Sequence, residues 1–232
     1  MDLILEGLEK AFWLLITLDP EVMRITLLSL QVSGTATLLS LVIGVSGGAL
    51  IGLSDFHGRK ILVSMINTGM GLPPVVVGLV VTILLWRNGP LGSLGILYTP
   101  AAMIIAQAII ATPIIMGISV AAIQHLPRKL RLQILALGAT RPQMAWMLVK
   151  EARLPLLAAV MAGFGGVISE VGASMMVGGN IKGYSRVLTT ATVMETSRGN
   201  FDMAIALSAI LLLLAYLITF GLTSIQQRER PR

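Results

Sequence analysis

Apolar residues dominate five long stretches of the chain, 24–53, 61–86, 100–124, 154–179 and 203–225, with polar segments between them. A helix needs about 20 mainly apolar residues to cross the hydrocarbon core of a bilayer, so each stretch predicts a spanning helix. The segment 3–19 is apolar over too short a length to cross. It mixes Glu6, Glu9 and Lys10 with Phe12, Trp13 and Leu14, which predicts a helix lying in the membrane interface. The pattern therefore predicts an all-α membrane protein: five transmembrane helices plus an N-terminal interfacial helix, one domain over 1–232.

Composition agrees. The chain is 55% hydrophobic and 12% charged, against about 25% charged in ordinary soluble domains, so there is too little polar surface to coat a globule. The absence of cysteine excludes disulfides, thiolate metal sites and thiol catalysis. A formal net charge of +6 could suit nucleic acid, but its distribution points to basic loops on one membrane face. Five spans put the termini on opposite sides. One side holds Arg59, Lys60, Arg128, Lys129, Arg131, Arg141, Lys150, Arg153, Arg228, Arg230 and Arg232; the other holds Lys10, Arg24, Arg87, Lys182, Arg186 and Arg198. The 17 basic residues divide 11 against 6, and the richer side carries three acids, Asp55, Glu151 and Glu229. The positive-inside rule makes that side cytoplasmic, with the N-terminus outside and the C-terminus within. The acidic start MDLILEGLEK lacks the basic opening of a cleaved signal peptide.

The cytoplasmic segment 125–153 contains RLQILALGATRPQMAWMLVKEARLP, Arg131 to Pro155. It predicts two short helices with a break. Pro127 suits a first turn, and Leu130, Ile134 and Leu137 make an apolar stripe at i, i+4, i+7. Gly138 stops or bends the first helix. Thr140 caps the second, with Gln143 closing a capping box and Pro142 in its first turn. Two uses are open for such an element: an amphipathic helix on lipid headgroups, or a docking element for a cytoplasmic partner.

Within the spans, Pro73-Pro74 interrupt the second, giving a kink, a helix restart, or broken backbone lining a cavity. Ser40, Gly44, Gly48 and Gly52 recur every four residues in the first span and predict close helix packing. Ala162, Gly166, Glu170 and Ser174 repeat that spacing in the fourth, which sets Glu170 against a neighbouring helix. An acid at membrane depth is costly, and a carboxylate on the path of an anion would repel it. Glu170 is thus expected to be neutral, paired or turned away, a structural or gate-hinge residue that tolerates glutamine. Ser169, Ser174, Asn180, Thr189, Thr190 and Thr192 gather near the outer end of this span as donors for an anion or as helix caps. Lys182 and Arg186 could steer an anion or meet another protein. No catalytic constellation and no phosphate-cradling G-x-x-x-x-G-K-[ST] occurs. His57 and His125 stand alone, which does not make a metal site.

ALGATRPQMAWMLVKEARLP resembles the cytoplasmic loop of ABC-importer permeases, with Gly138, Ala139 and Leu154-Pro155 at the matching positions. Leu132 stands where that family has a glutamate. The glycine-to-proline gap is four residues longer, about one helical turn or roughly 6 Å. GLPPVVVGLVVTILLWRNGPLGSLG (71–95) and ISEVGASMMVGGNIKGYSRVLTTAT (168–192) look like corresponding segments of molybdate, tungstate and sulfate permeases, the tungstate branch most of all. The resemblance implies a type I ABC importer permease fold in a prokaryotic inner membrane, moving a tetrahedral oxyanion, tungstate before molybdate or sulfate. It implies a second copy of the chain, two ATP-binding subunits and a periplasmic or lipid-anchored oxyanion-binding protein. The permease itself would hold no cofactor, ATP and magnesium lying on the separate ATPase. Leu130, Arg131, Ile134, Leu137, Gly138, Ala139, Thr140 and Arg141 would couple to that ATPase. Pro73, Pro74, Ser169, Glu170, Ser174, Asn180, Thr189 and Thr190 would form the pathway and its gate. A stand-alone secondary transporter is the reading from another class; it would need coupling-ion carboxylates and often an inverted repeat.

Overall fold

The computed structural model describes residues 2–228, of which 2 and 228 only in their backbone. Arg230 and Arg232 of the basic tail, and Glu229, lie outside the described residues. The described residues form eleven helices and no strand: α1 (Asp2–Ile16), α2 (Pro20–Leu53), α3 (Arg59–Met70), α4 (Pro74–Leu85), α5 (Pro100–Gln124), α6 (Arg128–Ala136), α7 (Arg141–Glu151), α8 (Arg153–Ile168), α9 (Gly172–Gly178), α10 (Leu188–Ser197) and α11 (Phe201–Arg228). Among these, α2, α5 and α11 are each long and apolar enough to cross a membrane unbroken, and up to five crossings result if bent helix pairs count as single spans.

The centre of the bundle is the pair α2 and α5. Asp19 starts α2 by accepting from the Glu21 and Val22 amides, both at 3.0 Å, with Pro20 in the first turn, as an N-terminus requires. The small residues at four-residue spacing then lie flush against α5. A Cβ on Gly44, Gly48 or Gly52 would meet Ile115, Ser119 or Ile123 at 2.9, 2.5 and 3.0 Å. The Ser40 hydroxyl donates to the Ala108 carbonyl at 3.0 Å and lies 3.2 Å from the Thr112 hydroxyl. Without a hydrophobic drive between helices in lipid, such close packing and interhelical hydrogen bonds hold the pair. Gly48→Ala forces a backbone shift that costs about 1–3 kcal/mol. Gly34→Ala, with nothing within 4 Å of its added Cβ, is neutral. A thermal denaturation series in detergent separates the two, and equal midpoints would show that the seam is not tight.

The second span differs from a kinked helix. α3 and α4 meet at 100° across Gly71-Leu72-Pro73, because Pro73 and Pro74 cannot donate to a continuing helix. The fourth predicted span, 154–179, is α8 followed by a break at Ser169–Val171 and the seven-residue α9. That break changes the phase of the helix. Ala162 and Gly166 are exposed and Gly163 packs on Ile115 and Ala111 instead, so the continuous stripe Ala162–Gly166–Glu170–Ser174 does not exist. α8 also bends 68° from α7.

The N-terminal segment is a helix that also packs on the bundle. α1 runs antiparallel along the start of α11, with a Cβ on Gly7 only 2.5 Å from Ile205 and Lys10 2.5 Å from Asp202. Ala11 is buried with Ala206, Leu207 and Ile210. At about 22 Å for 15 residues it is too short to cross. Its outer face, with Leu5, Leu8, Phe12 and Trp13, remains free for lipid.

Candidate functional site

The bundle has two chemically distinct ends. At one, the loop after α2, the start of α3, the end of α5, and α6 with α7 come together: the Arg59 Nε donates to Ile51 O and Arg131 to Ile123 O, over a cluster of Ala49, Ile123, Ala152 and Leu156. Among the described residues, this end collects Arg59, Lys60, Arg128, Lys129, Arg131 and Arg141 of the set assigned to the cytoplasm. At the other, the start of α2 is stitched to the α9–α10 loop. Glu21 meets Lys182 at 2.7 Å and Arg186 at 3.6 Å. Lys182 and Arg186 are therefore compensated locally. Glu21, which ties them down, was not singled out in the sequence; acid and base lie some 160 residues apart, so no local pattern could pair them.

Glu170 lies at the break between α8 and α9, 6% exposed. One carboxyl oxygen accepts from the Ala173 amide at 2.8 Å, and the other from the Ser174 amide and hydroxyl, both at 3.0 Å. Two of the free N–H groups that start α9 are thus satisfied by a side chain, as every buried helix start demands. Gln107 of α5 donates to the Ser174 hydroxyl at 3.2 Å, and the Thr189 hydroxyl of α10 donates to the Glu170 carbonyl at 3.0 Å. Three elements converge on one bend. Glu170 is hydrogen-bonded on both carboxyl oxygens and turned into the protein. Its tolerance of glutamine does not follow, since both carboxyl oxygens act as acceptors. Gln107, missed in the sequence, was visible as a lone amide in an apolar span.

The remaining pathway candidates divide. Ser174, Thr189 and Thr190 are buried, and their hydroxyls bond Glu170, the Glu170 carbonyl and the Val187 backbone. Thr192 bonds the Leu188 carbonyl. These groups cap and join helices and present no donor to a passing anion in this conformation. Ser169 is exposed, bonded to Gly165 O at 2.8 Å. Asn180 adopts a left-handed backbone, φ 50°, with its buried side-chain oxygen unpaired. Pro73 precedes α4 and Pro74 opens it, at the 100° corner.

The basic loop forms the expected two helices. Gly138 has φ 85°, where glycine is at little steric cost. The Gln143 side-chain oxygen accepts from the Thr140 amide at 2.8 Å and hydroxyl at 3.0 Å. The apolar stripe, however, divides between two faces. Ile134 is 5% exposed and Leu130 half-buried, so neither offers an open surface to a partner. Leu137 is 86% exposed, and Leu132 and Leu135 share the outward side with it, while Trp146, 71% exposed, and Met147 project from α7. Arg131 is held by Ile123 O, Ala139 is half-buried, and Thr140 and Arg141 are exposed.

An all-helical membrane bundle with bent helix pairs and a two-helix basic loop at one end is the architecture of a transporter's membrane component. The chain belongs to the family of binding-protein-dependent transport system inner membrane components, whose model matches residues 44–232. It is a multi-pass protein of the inner membrane, a permease subunit without an ATPase site of its own. It is 43% identical over 213 residues to a probable anion ABC transporter permease protein of Haloferax volcanii, covering 90% of each chain. It is 39% identical over 227 residues to the tungstate uptake system permease protein of Peptoclostridium acidaminophilum, covering 98% of this chain and 100% of that one. Its fold matches a chain of the solved methionine ABC transporter MetNI, inward-facing, with TM-score 0.73 at 21% identity, covering 96% of this chain and 99% of that chain. The fold is that of type I ABC importer permeases.

Proposed function

We propose that the chain is the permease of an ABC importer for tungstate. The carrying observation is the end-to-end match at 39% identity to a permease named for tungstate uptake. Two copies form the path, two ATP-binding subunits dock at the basic end, and an oxyanion-binding protein delivers cargo at the other. ATP and magnesium are held by the docked subunits. The basic loops face the cytoplasm, with the N-terminus outside. The secondary-transporter reading finds little support: Glu170 is committed to a helix start, and no second acid is buried beside it among the described residues.

The test is uptake by proteoliposomes holding permease, ATPase and binding protein. ATP-dependent tungstate accumulation, outcompeting molybdate and sulfate, is expected. Preference for sulfate or molybdate, or uptake without ATP, overturns the reading.

Orientation has its own test. The chain lacks cysteine, so single cysteines are clean probes. Ser185 is fully buried and makes a poor one, whereas Tyr184 beside it is exposed. Tyr184→Cys is expected to react only with reagent added outside, and Leu137→Cys only from the cytoplasm. The reverse pattern would invert the topology.

A further inference from the structure

A polar stripe runs along α3. Lys60, Ser64, Asn67 and Thr68 fall at i, i+4, i+7 and i+8 and share one helix face. All four are exposed. With Arg59 and with Gln124 from the end of α5 they border a groove of about 620 Å³. The opposite face of α3 packs on α5, with Ile66 buried and Gly69 against Pro113. Among the described residues, the side chains of Lys60, Ser64, Asn67 and Gln124 have no protein hydrogen-bond partner; the Thr68 hydroxyl bonds only the Ser64 carbonyl, at 2.9 Å.

That stripe is at odds with lipid. α3 climbs from the basic end to the 100° corner, about 18 Å for its 12 residues, which is over half of a hydrocarbon core of about 30 Å. Polar groups facing lipid at that depth cost several kcal/mol each, and burying them dry without partners costs as much. Water is the surrounding they fit. The lining also has a sign. Lys60 brings an ammonium, Arg59 a guanidinium whose nearest acid is the fully exposed Asp55 at 3.6 Å, and no carboxylate borders the groove. The Ser64 hydroxyl and the Asn67 and Gln124 amides supply further donors. A cation-bearing, donor-lined, acid-free groove attracts anions and matches the four acceptor oxygens of a tetrahedral oxyanion.

We propose that the α3 face of Lys60, Ser64, Asn67 and Thr68, with Gln124 beside it, is an oxyanion-holding station in the inner half of the path, between the Gly71–Pro73 corner and the cytoplasm. It rests on the transport reading above and adds a binding site to it. Cargo released past the corner is held here before it leaves.

The test uses the assembled transporter in inside-out vesicles. Asn67→Cys and Ser64→Cys react with a charged thiol reagent from the cytoplasmic side. Tungstate on that side, at nine times its dissociation constant, slows labelling about tenfold, because the free fraction falls as 1 + [L]/Kd. Leu62→Cys, on the far side of α3 and 37% exposed, is not protected. Lys60→Gln raises the half-protecting concentration about tenfold, the ratio that about 1.4 kcal/mol gives. Labelling that tungstate leaves unchanged overturns the station. So does an unreactive Asn67→Cys that instead cross-links to the second copy, which would make the stripe a contact between copies. Labelling is read without uptake, so a transporter that carries no tungstate overturns the functional reading separately.

Discussion

Glu170→Gln lowers the thermal midpoint of the purified permease and reduces uptake with it. Glutamine keeps one acceptor oxygen and turns the other into an amide that points donors at a donor. If the oxygen stays with Ser174, the Ala173 amide loses its partner; if it turns to Ala173, Ser174 loses two bonds. Each buried donor left unsatisfied costs about 1–3 kcal/mol, and the site is sealed by α5 and α10, so water does not replace what is lost. Glu170→Asp is too short by one methylene to reach both amides and falls in the same direction. Ser174→Ala leaves both amides capped but strips the buried Gln107 amide of its acceptor, so it falls in the same direction. Glu9→Gln, on the exposed side of α1, is the control. A glutamine variant that melts with the wild type while uptake is lost would move Glu170 from architecture into the transport step itself. One that is normal in both would show that the start of α9 needs no cap.

The second large effect is at the loop, and the two faces of α6 give opposite results. Leu132→Asp with Leu137→Asp leaves the permease folded, since both side chains are already exposed, but releases the ATPase. Apolar anchors at the centre of an interface are worth about 2 kcal/mol or more each. Ile134→Asp acts on the permease itself, putting a charge into a buried site, and lowers its stability before any partner is involved. Gly138→Leu lies between: no atom is near its added Cβ, so the cost is the left-handed backbone, about 1–2 kcal/mol, and the angle between α6 and α7 relaxes. Copurified ATPase and binding-protein-stimulated hydrolysis, measured together with permease melting, resolve the three. Full ATPase retention in the double aspartate variant would leave the lipid-surface role for this loop.

What the sequence disclosed follows from how local each signal is. The three unbroken apolar helices, the Gly138 break and the Thr140–Gln143 cap depend on residues within a turn or two of one another, and they were legible. So was the Ser40–Gly52 seam, because its period held along one unbroken helix. The same spacing misled in the fourth span, where Ser169–Val171 leave the helical path and shift the phase of all that follows; Glu170 is buried, but by another geometry. The outward face of α6 was misassigned because periodicity identifies an apolar stripe without saying which of two apolar sides is covered. Glu21 with Lys182, Lys10 with Asp202 and Gln107 with Ser174 are pairings across the whole chain, and nothing in a linear pattern ranks them.

The α2–α5 seam also constrains how the molecule can change shape. Glycines flush with the facing backbone act as notches: sliding one helix past the other by part of a turn would drive Ile115, Ser119 and Ile123 out of them and against the backbone between. The pair is therefore a stiff mast. Motion along the path falls to the two places where the backbone ladder is already cut, Gly71–Pro73 and Ser169–Val171. Both cuts adjoin α4 and α9, which pack on each other where Gly78 lies against Ala173. Rotation at either cut thus carries the other with it, and a mast with one shared swinging panel opens and closes as a single leaf.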